Sequence, residues 1–149
     1  YFIASPQGIY DVTQNGDVSC AWFASNVLNR FDLIDRAHPT VASTVNDMYR
    51  SGWEEIDPID IVPGAVVRWP VGESGNAHLG FYIGSDEYVS NNYVVRSPVK
   101  HGEKLLDGRM PENVYALEAL RMYQRCEIRP EYPIFMCEET DLIEENEDE

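Results

Sequence analysis

The sequence predicts an α+β domain in which N-terminal helices pack on an antiparallel β-sheet. Three observations carry this reading. From Cys20 to about Asp35, apolar residues recur at three- and four-residue steps, the period of one helix face. After Pro63-Gly64 the pattern changes to short β-branched and aromatic runs bounded by proline, glycine and asparagine. Helices followed by strands, rather than alternating with them, define the α+β class. The chain has 149 residues and a 44% hydrophobic content, enough to fold around one core without a metal or a disulfide staple.

Residues 1–15 mix apolar pairs with Pro6 and Gly8 and read as an extended arm with turns. In the first helix Phe23, Ala24, Val27, Leu28, Phe31 and Ile34 form the buried stripe, which Trp22 broadens; Ser19 or Asp17 can cap it. Cys20 lies one helical step before this stripe, at the edge of the core. His38-Pro39 breaks the helix. A second helix is expected from Thr40 to about Arg50, with Val41, Val45 and Met48 inward and Gly52 as its stop. Ala65–Trp69 reads as a strand, and a glycine-rich loop (Gly72–Asn76) follows. His78–Gly84 and Glu87–Asn91 form a hairpin around Ser85-Asp86. A further strand is expected at Tyr93–Arg96, and Val99-Lys100-His101 is a candidate continuation of the sheet. Asn113–Tyr123 fits both periods and is read as a closing strand.

Residues 1–137 read as one domain and 138–149 as an acidic tail. That tail holds eight acidic residues and no basic one, leaving −7 of the net −15 on the rest of the chain. Such a tail repels itself and is expected to be solvated or disordered, a solubilising end with a basic protein partner as the alternative. The acidic body argues against nucleic acid and anionic membranes as partners. No run approaches the ~20 apolar residues of a membrane span. The first residue is Tyr1 rather than Met, the pattern of a processed product or a piece of a longer protein, so the compartment is not legible there. Cys20, Cys126 and Cys137 are an odd count with no metal-ligand spacing. The last two read as buried thiols in preference to a disulfide.

Cys20 follows a polar, turn-forming run and opens the first helix, where unpaired N–H groups favour a thiolate. It is a candidate nucleophile if a histidine reaches it. His38 reads as a surface or capping residue, and His101 has no obvious partner. His78 begins an apolar strand directly after the glycine-rich loop, at a cleft edge, and is the candidate base. The hairpin returns Ser90, Asn91 and Asn92 beside His78. An asparagine, Asn91 or Asn92, is the preferred residue to orient the imidazole, giving the chain order Cys, His, Asn. The Cys20 N–H with a loop donor would form an oxyanion hole. Asp17, Asn76 and Trp22 flank this pair and are candidate substrate contacts.

Ser19-Cys20-Ala21-Trp22-Phe23, Pro63-Gly64-Ala65-Val66-Val67 and His78-Leu79-Gly80-Phe81-Tyr82-Ile83-Gly84 resemble the three sequence blocks of the NlpC-type and CHAP-type cysteine peptidases and amidases. The resemblance spans about Gly16 to Asn92, and the histidine strand is its most specific part. It implies a papain-like fold and hydrolysis of amide bonds in bacterial cell-wall peptides, with no metal or organic cofactor. A monomer, secreted or in the cell envelope, is the accompanying expectation. The chain departs from the NlpC pattern, which commonly has Asp-Cys-Ser-Gly where this chain has Ser19-Cys20-Ala21-Trp22. The groups that recognise the peptide's free amine are therefore missing, and Cys-Ala-Trp-Phe is closer to CHAP domains. Ala65 replaces a frequent aspartate, a difference that touches the turn. The family's usual orienter position falls at Ser90. The alternative function is an inert acidic binding or inhibitor protein on the same scaffold. Acyltransferase relatives in which the histidine precedes the cysteine have the opposite chain order.

Overall fold

The computed structural model describes residues 2–11, 19–73, 75–92, 94–95 and 97–120. Asp17, Cys126, Cys137 and the acidic tail lie outside the described residues. Strands β1 (Phe2–Ser5) and β2 (Gly8–Asp11) pair as an antiparallel hairpin across Pro6-Gln7, the arm with turns expected there.

Helix α1 (Cys20–Arg30) buries Ala21, Ala24, Ser25 and Leu28. It ends earlier than the apolar spacing suggests. The N–H groups of Phe31 and Leu33 both turn back to Leu28 O, and Asp32 takes a φ of 57°. Ile34 still enters the core from the turn, so the apolar series outlives the helix. Helix α2 (Val41–Arg50) starts at Thr40, whose Oγ1 accepts from Ser43 N at 3.2 Å. It stops at Gly52, whose φ of 95° is the left-handed conformation that closes helices.

His38 is not a surface residue, as its place before Pro39 suggested; it is 5% exposed and bonded to Asp47, which is fully buried. Asp47 Oδ2 accepts from His38 Nε2 at 2.6 Å and Arg36 N at 3.2 Å; Oδ1 accepts from Asp35 N and Ser51 Oγ, both at 3.0 Å. Burial alone would raise this carboxyl's pKa. Its four donors outweigh burial and draw it down to about 2. Ser25 Oγ accepts from His38 N and donates to His38 O, tying α1 to the same knot.

The sheet comprises β3 (Glu54–Ile56), β4 (Val66–Trp69), β5 (His78–Gly84), β6 (Glu87–Asn92), β7 (Ser97–His101) and β8 (Asn113–Ala116). Its order is β3-β8-β4-β5-β6-β7, antiparallel throughout. Pro63-Gly64 forms the turn into β4: Ala65 N reaches Val62 O at 3.0 Å, with Gly64 at φ 92°. Ser85 and Asp86 have φ of 54° and 59°, the geometry of a two-residue hairpin turn between right-twisted strands. The described residues of the strand expected at Tyr93–Arg96, Val94 and Val95, are in a turn instead. Val94 and Val95 are exposed in the turn between β6 and β7, and their N–H groups donate to Asn92 Oδ1. The closing strand β8 stops at Ala116, short of the expected span, and Leu120 N turns back to Leu117 O.

Strand alternation gives the sheet two faces. Val66, Leu79 and Tyr115 join Ala24, Leu28, Val45, Met48 and Trp53 in the core under the helices. Val67, Trp69 and Tyr88 form a second cluster with Tyr82 and Leu105. His78, one residue from Leu79, falls on this second face against Trp69, with ring centroids 5.4 Å apart.

Candidate active site

The first turn of α1 and the first residues of β5 meet at the Cys20 sulfur. Cys20 Sγ donates to Ala77 O at 3.8 Å, and the backbone N–H of Leu79 points back at the sulfur. The thiol therefore rests against the backbone on both sides of His78. Pairing between β5 and β6 is recorded at Phe81/Val89, Tyr82/Tyr88 and Gly84/Glu87, and does not extend to Leu79. Leu79 pairs with Arg68 on the β4 side, and its backbone N–H favours the ionised sulfur.

Ser19 is the N-cap of α1 but makes no side-chain cap. Its hydroxyl accepts from Asn91 Nδ2 instead. The N–H groups of Cys20 and Ala21 point at the sulfur and favour its ionised form, as expected of a helix start. Burial acts the other way and is larger, so the thiol is pushed above its ordinary value. The stabilised resting thiolate expected from sequence is corrected accordingly: at neutral pH Cys20 is a thiol. The Arg109 charge contributes a smaller pull toward the thiolate.

The His78 ring is held from the β6 side. Its Nε2 lies 2.7 Å from Ser90 Oγ, and the same oxygen lies 2.6 Å from Nε2 of His101 on β7. Gly80 explains how the strands come this close. A Cβ there would sit 2.8 Å from Ser90 Cβ and 2.9 Å from Val89 O. Burial, the neighbouring His101 and the Arg109 charge pull the His78 pKa down to about 4, against an opposing effect of Asp107. The His78 ring is neutral at physiological pH.

Neither asparagine preferred from sequence hydrogen-bonds to His78. Asn91, 3% exposed, faces the α1 cap through Ser19, and no described residue donates to its buried Oδ1. Asn92 closes the β6–β7 turn. Strand parity explains both: Ser90 shares the His78 face, Asn91 takes the other, and Asn92 is drawn off by the turn. Ser90, not an asparagine, is the residue of β6 that hydrogen-bonds the His78 ring.

Trp22 is half-buried on the first turn beside Cys20. Asn76 is exposed in the loop before His78, and its carbonyl accepts from Arg109 Nη1 at 2.9 Å. Arg109 and His101 are the site residues that sequence reasoning missed. Arg109 Nη1 also reaches Pro70 O at 2.7 Å, so one guanidinium spans both ends of the loop, and Asp107 holds its Nε at 2.9 Å. Nothing in local sequence marks an arginine in the β7–β8 connection as a clamp. For His101 a signal existed: the alternation of β7 puts it opposite Tyr88, two residues from Ser90 on the same face.

A comparison with protein-family models finds no match, and a comparison with curated proteins finds none either. Among the described residues no group of three or more His, Cys, Asp or Glu side chains is placed to hold a metal ion. No described helix is long and apolar enough to cross a membrane. The arrangement offers a sulfur beside helix-end donors and a neutral imidazole anchored through one nitrogen.

Proposed function

We propose that the protein is a cysteine hydrolase of the papain-like NlpC/CHAP kind that cleaves amide bonds in peptidoglycan peptides. The observation that carries this reading is the seat of the Cys20 sulfur, on the helix-end N–H groups and against the backbone flanking His78. The Ser90 bond to His78 Nε2 supports it, since an orienter on the far nitrogen leaves Nδ1 for the reaction.

In this mechanism the thiol turns from Ala77 O toward the imidazole, and His78 Nδ1 takes its proton as Sγ attacks the carbonyl carbon. Unliganded sites are often looser than reacting ones, so the resting bond to Ala77 is compatible with this step. The Cys20 N–H stabilises the oxyanion. The C–N bond then breaks, protonated His78 gives its proton to the leaving amine, and a thioester remains. Water attacks that thioester as His78 takes a water proton; the acid departs and the thiol is restored.

The experiment is digestion of purified cell-wall peptides with release of new primary amines as readout. Wild type releases amines, and Cys20→Ala and His78→Ala do not. Release that survives Cys20→Ala overturns the assignment. A second reading, an inert acidic binding protein on this scaffold, is favoured by one observation: burial raises the Cys20 pKa, and its proton is directed at Ala77 rather than His78. Absence of amine release together with ordinary, unassisted thiol reactivity would select it.

A further inference from the structure

Ser90 Oγ stands between two imidazoles, and a hydroxyl has one proton to give. It donates to one ring and accepts from the other. The direction is decided at the far end of the chain of bonds. His101 Nδ1 lies 2.7 Å from Gly102 O, and a carbonyl oxygen only accepts. His101 Nδ1 therefore carries a proton, and in the neutral ring Nε2 is left as the acceptor. Ser90 must then donate to His101 and accept from the Nε2–H of His78. The same logic leaves His78 Nδ1 bare. No described residue hydrogen-bonds that nitrogen.

We propose that His101 is a positioning residue: acting through Ser90, it holds His78 in the tautomer whose Nδ1 accepts a proton. The surroundings of His101 fit this role. Tyr88 stacks on its ring at 6.0 Å and 21°, and Trp69 packs at 5.5 Å. Trp69 Nε1 donates to Glu103 O at 2.8 Å, pinning the segment just beyond Gly102. The ring plane and the carbonyl that sets its tautomer are both fixed by buried aromatic side chains. The catalytic consequence rests on Cys20 and His78 being the working pair; the tautomer itself does not.

The test is ring-nitrogen NMR on the full chain carrying ¹⁵N-histidine, at about pH 8, where a histidine of ordinary pKa near 6.5 is neutral. The expected spectrum puts the proton on Nε2 of His78 and Nδ1 of His101. A proton on His78 Nδ1 overturns the proposal without any variant. His101→Phe keeps an aromatic ring but removes the acceptor, so the Ser90 hydroxyl turns to His78 Nε2 and the His78 proton moves to Nδ1. With wall peptide as substrate, kcat then falls by about 10²- to 10⁴-fold, the range for a misdirected base, while KM is held. His101→Gln supplies an amide oxygen as acceptor and restores part of the loss. An unchanged His78 tautomer in folded His101→Phe overturns the proposal. Should that variant not fold, Ser90→Ala and the wild-type spectrum decide. Wild-type protein with the expected tautomer and no turnover would refute the hydrolase reading and leave this one standing.

Discussion

Cys20 lies against the backbone on both sides of His78, and its thiol proton goes to the Ala77 carbonyl rather than to the imidazole. Two opposed effects meet there. Helix-end and strand N–H groups favour the thiolate, and burial disfavours it by more. With His78 drawn down to about 4, the resting pair is a neutral thiol beside a neutral base. Such a pair reacts by moving the proton during attack instead of storing an ion pair beforehand.

Alkylation should report this directly. Peptide-resolved labelling with iodoacetamide is expected to show Cys20 modification still rising with pH above its ordinary value of 9.0 in the folded protein. A labelling plateau reached below neutral pH would show a stored thiolate and contradict the neutral resting pair. In His78→Ala the midpoint is expected to remain alkaline, because burial rather than the imidazole sets it.

Gly80 is the point at which the sheet tolerates no side chain. Gly80→Ala would bring Cβ to 2.8 Å from Ser90 Cβ, 2.9 Å from Val89 O and 3.2 Å from Trp69 Cζ3. Two of these neighbours are anchored, one in the strand backbone and one in a buried ring. The expected cost is about 1–3 kcal/mol in a urea titration, the range for overpacking. Displacement of Ser90 should also lower amine release by more than the stability loss explains. A variant with wild-type stability and turnover would mean that β5 and β6 can part freely here.

The helices and the β5–β6 hairpin were legible in the sequence because their signals are local. Thr40 and Gly52 bracket α2, and Ser85-Asp86 sits at the required hairpin position. The candidate nucleophile and base, Cys20 and His78, stand out because each begins an element with a strong apolar period. What escaped depends on contacts across the chain. His38 is buried because Asp47, nine residues on, gathers donors from the α1–α2 connection and from the end of α2. Amide chemistry favours the asparagine neighbours of Ser90 as imidazole partners, although strand parity places Ser90 on the His78 face. Val94 and Val95 have strand-like side chains, yet Asn92 Oδ1 captures their N–H groups and makes a turn. The β-propensity of two residues does not outweigh that local bond.

Acid should loosen the protein in two stages. His78 is held near 4 against an ordinary 6.5, so the unfolded chain binds its proton first. Its stabilising contribution is complete above about pH 6.5 and is lost as pH falls toward 4. Asp47, held near 2 against 3.8, is complete above about pH 4 and is lost as pH falls toward 2. Asp47→Asn should flatten the lower stage of a stability–pH curve and leave the upper one. Asp47→Ala leaves buried His38 Nε2 and the N–H groups of Asp35 and Arg36 without their acceptor and should cost about 3–5 kcal/mol by denaturant titration. A curve that is flat between pH 6.5 and 2 would contradict both assignments.

Arg109 should matter through both its bonds and its charge, and the two are separable. Its guanidinium spans Pro70 O and Asn76 O across the loop that delivers His78, and Gly72 leaves room for it: a Cβ there would lie 2.9 Å from Arg109 Cζ. The charge also lowers the His78 pKa and draws the Cys20 thiol toward ionisation. Arg109→Gln keeps donors but removes the charge. The acid limb of kcat/KM, set by His78 in the free enzyme, should then move up in pH, and Cys20 alkylation should need more alkaline conditions. Arg109→Ala removes the clamp as well and should raise KM beyond the Gln variant, as the loop beside the nucleophile loosens. Gly72→Ala crowds the guanidinium without altering its charge. It is expected to reproduce the KM increase while leaving the acid limb where it is. An acid limb that shifts equally in Gly72→Ala and Arg109→Gln would show that loop position, rather than the arginine charge, tunes His78.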